Sequence, residues 1–299
     1  MNQTQLSALT NLGVALNAVF VQQLQAVAGD SLLNTLYNVQ ESNRAVERRQ
    51  GVGGMGDVPK FTGAIEYDSF EPLYRTDYTH IEYAKGIAVE RKLIDDDEYG
   101  VISGRAQKLG LTFDRTIEKH AVSVFSNAFS SSYAGADGVA LCATNHPYSP
   151  TNAAVQSNKG TSALTESSLT ATRQLMLKFK DDRSEVMNTA PDTLLVPVEL
   201  EEAARVIVES GQRSGTANND ANTNRGYRIV VSRYLTDAND WFLIDSRMAK
   251  MYLNWFWRVQ PEFAEDPSSD YNLVMKYRGY MRYSFGFDAW QWIYGHAVA

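Results

Sequence analysis

"ISGRAQKLGLTFDRTIEKHAVSVFSNA", residues 102–128, decides the fold. Ile102, Ala106, Leu109, Phe113, Ile117, Ala121, Val124, Phe125 and Ala128 recur every three or four positions, which places them on one face of an α-helix. At about 1.5 Å per residue, about 27 residues span roughly 40 Å, far longer than the usual globular helix. A helix of that length is a spine on which the rest of the chain must pack. "DDDE" at Asp95, Asp96, Asp97 and Glu98 lacks the spacing of a calcium loop, and carboxylates there are expected to cap the first turn of the spine and favour its dipole. Ser130, Ser131, Ser132 and Gly135 are expected to end it.

Upstream of the spine the period is two. Thr79, Ile81 and Tyr83 alternate with His80 and Glu82, and after Gly86 the residues Ile87, Val89, Arg91 and Leu93 alternate again. This reads as two strands of a long hairpin turning near "AKG" (84–86), with mixed aromatic and charged faces. A two-stranded ribbon is marginal in water alone, so something must cover it. Further upstream, Leu9, Leu12, Leu16, Val19, Phe20, Leu24 and Val27 form an amphipathic helix ended by Gly29 and Asp30. "NVQESNRAVERRQ" (38–50) and "GVGGMG" (51–56) then read as an arm and a hinge.

Downstream, a helix is expected from about Glu166 to Lys180, with Leu169, Met176 and Phe179 aligned. "TLLVPVELEEAARVIVES" (193–210) reads as a buried strand, then a helix facing inward with Leu200, Ala203, Ala204, Ile207 and Val208. "GQRSGTANNDANTNRG" (211–226) has no periodicity and is expected to be a mobile polar loop. Two strands follow, "YRIVVSRYL" (227–235) and "WFLIDS" (241–246). The last third is aromatic-rich and is expected to end at the surface. Its Trp255, Phe256, Trp257, Tyr280, Tyr283, Phe285, Trp290 and Trp292 are most simply core, with some interface.

Composition excludes several functions. The 299 residues are 44% hydrophobic and 21% charged, which is globular. A net charge of −7 disfavours sequence-specific binding to a phosphate backbone. A single cysteine forms no intrachain disulfide, so stability is expected from packing and assembly in a reducing cytoplasm. No apolar run reaches the length of a membrane span, and "MNQTQLSALTNLG" lacks the order of a signal peptide, so neither membrane insertion nor export is expected.

No catalytic constellation emerges. Cys142 and His146 lie four apart in "GVALCATNHPYSP" (138–150), but Pro147 argues against a shared helical face. His80, His120 and His296 are too dispersed to complete a zinc set, so a buried small cysteine beside a turn is the expected reading. Gly51, Gly53 and Gly56 match G-x-G-x-x-G in letters alone, because no buried strand precedes them and Pro59 follows. No cofactor, metal or catalytic residue is expected. Arg44, Arg48 and Arg49, interleaved with Glu41 and Glu47, are expected on a solvated or inter-subunit helix face.

An arm, an uncovered hairpin, a spine, a compact α/β portion and an aromatic β-rich close follow one another. That order, with "GADGVALCATNHP" (135–147), "LLVPVELEEAARVIVES" (194–210), "WFLIDS" (241–246) and "KYRGYMRYSFGFDAWQWIYGH" (276–296), resembles the major capsid proteins of tailed bacteriophages, the Hong Kong 97 capsid fold, and most closely the Mu-like major head subunits. The resemblance runs from about Asp57 to His296. It implies an α+β fold divided into an N-terminal arm (1–56), an extended E-loop hairpin (57–94), a peripheral domain with the spine helix (95–190), an axial domain (191–255) and a return to the peripheral domain (256–299).

It further implies hexamers and pentamers that tile an icosahedral shell around double-stranded DNA, in a virion made in a bacterial cytoplasm. Separate scaffold, maturation protease and portal proteins are the implied partners. Arg44, Arg48, Arg49, Lys60, Tyr78, Ile81, Tyr83 and Lys85 become the inter-subunit contact candidates. Lys60 and Lys85 lie where some members cross-link covalently, yet no partner residue is identifiable and no cross-link is expected. The alternatives are an encapsulin-like cellular shell of the same fold around a protein cargo, and a soluble enzyme with an unrecognised site.

Overall fold

The expected spine runs from Tyr99 to Ser126 in the computed structural model, which describes residues 3–27, 31–63, 65, 67–96, 99–212, 221–269 and 273–299. In chain order the helices are α1 (Gln3–Val27), α2 (Leu32–Leu36), α3 (Arg91–Asp95), α4 (Tyr99–Ser126, the spine), α5 (Glu166–Met176), α6 (Glu201–Glu209) and α7 (Ser246–Tyr252). The strands are β1 (Asn38–Glu41), β2 (Val46–Val52), β3 (Pro72–Thr79), β4 (Ile81–Glu90), β5 (His146–Pro147), β6 (Val155–Gln156), β7 (Lys159–Gly160), β8 (Thr193–Pro197), β9 (Arg228–Ser232), β10 (Trp241–Ile244), β11 (Leu253–Glu265), β12 (Val274–Phe287) and β13 (Ile293–His296).

The spine buries the face its spacing predicts: Ile102, Ala106, Leu109, Phe113, Ile117, Ala121 and Phe125 are all buried. It lies on a four-stranded sheet of order β1–β11–β12–β4, in which only the β1–β11 pairing is parallel. Phe113 fits because β12 carries Gly279 beneath it, where a side chain would begin 2.6 Å from the ring. α1 covers the other flank of the spine. Phe20 packs edge-on to Phe113 at 5.5 Å and against Phe263 at 5.4 Å, and its full burial contributes about 2 kcal/mol.

A second, five-stranded sheet of order β7–β13–β10–β8–β9 carries α5 and α6. α5 starts where expected, with Thr165 as N-cap in a capping box with Ser168, and ends at Met176 so that Phe179 is buried from the loop beyond. The spine joins the two sheets: Phe125, at its C-terminal end, meets Phe242 of β10 at 5.8 Å and Trp292 at 6.0 Å. β13 is buried throughout, in the interior of this sheet between β7 and β10, so the aromatic close does not end at the surface as expected.

Other expectations are corrected by strand pairing. No turn occurs at 84–86; Ala84, Lys85 and Gly86 are inside β4, which pairs with β12. Gly86 is needed there for close backbone approach, since a Cβ would lie 2.9 Å from the Tyr277 carbonyl oxygen. The hairpin is instead β2 with β3, from Val46↔Thr79 to Val52↔Pro72. Arg48 and Arg49 therefore sit on a strand and not on a helix face, and Gly51 belongs to that strand rather than to a hinge. Asp95 closes α3 in an ion pair with Arg91 at 3.1 Å, so it does not cap the spine. Asp97, Glu98, Gly29, Asp30 and residues 213–220 of the polar loop lie outside the described residues.

Candidate subunit interface

The β2–β3 hairpin carries between its strands a 19-residue connection, 53–71, that is exposed along most of its length. Val58 is 96% exposed, Tyr67 90%, Phe61 71% and Ile65 68%, with Met55 and Phe70 also exposed. Singly exposed apolar side chains are ordinary, but a row of large ones on one projecting loop marks an interaction surface. In the sequence these residues follow neither the helical nor the strand period. The signal present is large apolar residues at irregular spacings of two to four between Gly53 and Glu71, in a segment whose glycines and Pro59 forbid a helix.

Of the expected contact residues, Lys60, Ile81 and Lys85 are exposed, and Arg44 and Arg48 are exposed beside Glu47 and Asp77 at 3.9 and 3.6 Å. Tyr83 is half-buried and stacked on Tyr283 at 4.8 Å. Tyr78 is a correction. It is buried in its own chain and donates to Asp288 at 2.6 Å, while Asn254 donates to the same carboxylate at 2.8 Å and Arg49 pairs with it at 2.9 Å. Burial first, and then the Asp288 charge, push the Tyr78 hydroxyl far above the ordinary tyrosine range. Tyr78 and Arg49 thus fix the root of the hairpin to the chain that carries it.

Cys142 and His146 do not form a pair. The Cys142 sulfur packs against Gly295, where an added Cβ would lie 2.8 Å from it, and Phe129 and Phe242 crowd the same position. Burial raises its thiol well above the usual value. His146 is held by Asp137 at 2.7 Å and stacked on Trp290 at 4.5 Å. We expect Cys142 to resist a maleimide in native protein and to react once in denaturant; rapid labelling of the native chain would contradict its placement.

Of the other histidines, His80 and His296 are buried and His120 is half-buried. His80 lies between the hydroxyls of Ser42 and Ser284 at 3.0 and 2.9 Å, and desolvation lowers its pKa. His120 contacts the Tyr283 hydroxyl at 2.6 Å and is likewise lowered by burial. His296 stacks on Trp241 at 4.1 Å; its Nδ1 accepts from the Ser162 amide, which leaves Nε2 to donate to Thr172 Oγ1 at 2.8 Å. Among the described residues no cluster of metal-ligating side chains occurs, and no helix is long and apolar enough to cross a membrane.

A spine helix laid on one sheet, a second α/β layer joined through its end and an extended hairpin define the class of shell-forming subunits with the Hong Kong 97-type capsid fold. Solved structures share it. The bacteriophage JBD30 capsid matches with a TM-score of 0.58 at 13% identity, over 70% of this chain and 92% of that one. The capsid of an empty GTA particle matches at 0.56 and 14%, over 91% and 90%. The virus-like particle from Pyrococcus furiosus matches at 0.54 and 14%, over 95% and 98%. No curated protein matches the chain. The phage capsid protein model matches residues 74–295, so the chain belongs to that family and serves as a major capsid protein, a structural role.

Proposed function

We propose that this chain is the repeating subunit of an icosahedral virion shell, assembled through hexamers and pentamers, that encloses the double-stranded DNA of a tailed phage. The observation that carries the reading is the row of exposed apolar side chains on residues 53–71. Left uncovered, such a loop promotes indiscriminate association; seated on a neighbouring copy, it supplies the apolar core of a heterologous, ring-closing contact. Arg44, Arg48, Lys60, Ile81 and Lys85 form the polar and mixed rim of that contact. The net charge of −7 suits a container that does not hold its cargo by strong wall affinity.

In this reading residues 1–56, 57–94, 95–190, 191–255 and 256–299 take the roles of arm, E-loop, peripheral domain, axial domain and return, with boundaries adjusted to the hairpin at 46–79. Scaffold, portal and maturation protease are separate proteins made with it in the host cytoplasm, and the subunit is of the Mu-like head group that its sequence resembles. The test is size-exclusion chromatography of the purified chain, alone and with its candidate scaffold, followed by electron microscopy of the largest fraction. Shells, tubes or capsomer rings are expected. A monomer or dimer that persists at high concentration with scaffold present would overturn the assignment.

A further inference from the structure

The spacing of the glycine cluster 51–56 is set by the turn it packs against. Gly54 donates its amide to Asp182 Oδ1 at 2.8 Å, from the turn that follows α5 and Phe179. A Cβ on Gly53 would sit 2.6 Å from Asp182 Oδ2, and one on Gly54 would sit 2.7 Å from Asp181 Oδ2. Only glycine lets the loop backbone come this close to both carboxylates.

At the other end of the loop, Arg183 grips Asp68 with both terminal nitrogens, each at 2.7 Å, and donates to the Ser69 carbonyl at 2.9 Å. Asp68 in turn accepts from the Gly56 amide at 3.0 Å, which ties the two ends of the loop together. That Gly56 bond, followed by the guanidinium, holds the Asp68 carboxyl below the usual range.

The turn that presents Arg183 is itself built to do so. Asp181 accepts the amides of Arg183 and Glu185, both at 2.9 Å, and Ser184 has φ of +70°, the one non-glycine residue with positive φ among those described. Strain of this kind persists where the surroundings over-determine it and concentrates at working parts of a fold.

We propose that the 181–185 turn is an intrachain latch that clamps both ends of the 53–71 loop and fixes the direction in which a free subunit presents its apolar row. The value of the latch to assembly rests on the shell reading; the latch itself does not. A loop ordered before a neighbour arrives loses less conformational freedom on docking, so correct contacts form at lower subunit concentration.

The test is amide hydrogen exchange on the unassembled subunit, which reads the latch whether or not shells form. Arg183→Ala and Gly54→Ala attack the clamp from opposite sides; Lys178→Ala removes an exposed cation near the turn and serves as control. In both latch variants exchange at residues 54–56 is expected to quicken about tenfold, with β8 and β10 unchanged and the control like the parent. Exchange at 54–56 that stays at the parent rate in Arg183→Ala, or that rises equally in Lys178→Ala, would overturn the proposal.

Discussion

Phe61→Asp and Tyr67→Asp placed together in one chain are expected to abolish shells and capsomer rings while leaving a folded subunit. Both side chains are largely exposed, and surface substitutions of that kind shift stability by about 0.5 kcal/mol, or roughly 2 °C in melting temperature. Seated in a neighbour, each ring would bury apolar area worth about 2 kcal/mol, and an aspartate would instead carry an unpaired charge into the contact. The loss recurs at every copy of the interface around the shell. Light scattering under assembly conditions, paired with a thermal melt, reads both halves of the result. Particles of parental yield from the double variant would show that the loop is not the contact.

Acid is expected to unfold the unassembled subunit before its carboxylates protonate fully. His296 is neutral in the fold, with a pKa lowered by burial to about 4, against about 6.5 in an unfolded chain. Below pH 6.5 the unfolded state therefore binds a proton that the folded state refuses. Stability is at its full value above that pH and falls as the pH drops towards 4, by about 3 kcal/mol from this residue. His80 and His120 are shifted in the same direction by burial and add to the slope. Protonation at Nδ1 would also forfeit the bond from the Ser162 amide. Urea unfolding at pH 7 and pH 4.5 measures the effect, and His296→Gln should flatten part of it; an identical pH slope in that variant would exclude His296 as its source.

Local rules made the helices legible and left the pairing of strands hidden. The spine, the start of α5 and the β8–α6 run follow hydrophobic period and capping residues, and they stand where those signals place them. In β4 the glycine between alternating residues, Gly86, reads as a turn by local rules, whereas it admits the Tyr277 carbonyl. β2 shows no alternation, because Val46 is followed by the consecutive charges Glu47, Arg48 and Arg49, and the partners of the two arginines, Asp77 and Asp288, come from elsewhere in the chain. β1 pairs in parallel with β11 across more than two hundred residues, a contact no window of sequence can show. Of the contact loop the sequence shows little: the resemblance places residues 57–94 in one extended hairpin, but the apolar row has no period to announce it and needs the exposure of Val58, Phe61, Ile65 and Tyr67 to stand out.

The position of β13 bears on timing. Residues 293–296 fill the interior of a sheet whose other strands are all made earlier, with β10 and β7 bonded to opposite edges of that last strand. Until residue 296 has left the ribosome, those edges stay open and Trp241 lacks the His296 ring that stacks on it. Sheets completed by such distant pairings close late and slowly. A nascent chain is therefore a poor competitor for places in a growing particle. Translation as far as residue 296 acts as a quality gate, because a chain that stops short of it keeps an unclosed sheet.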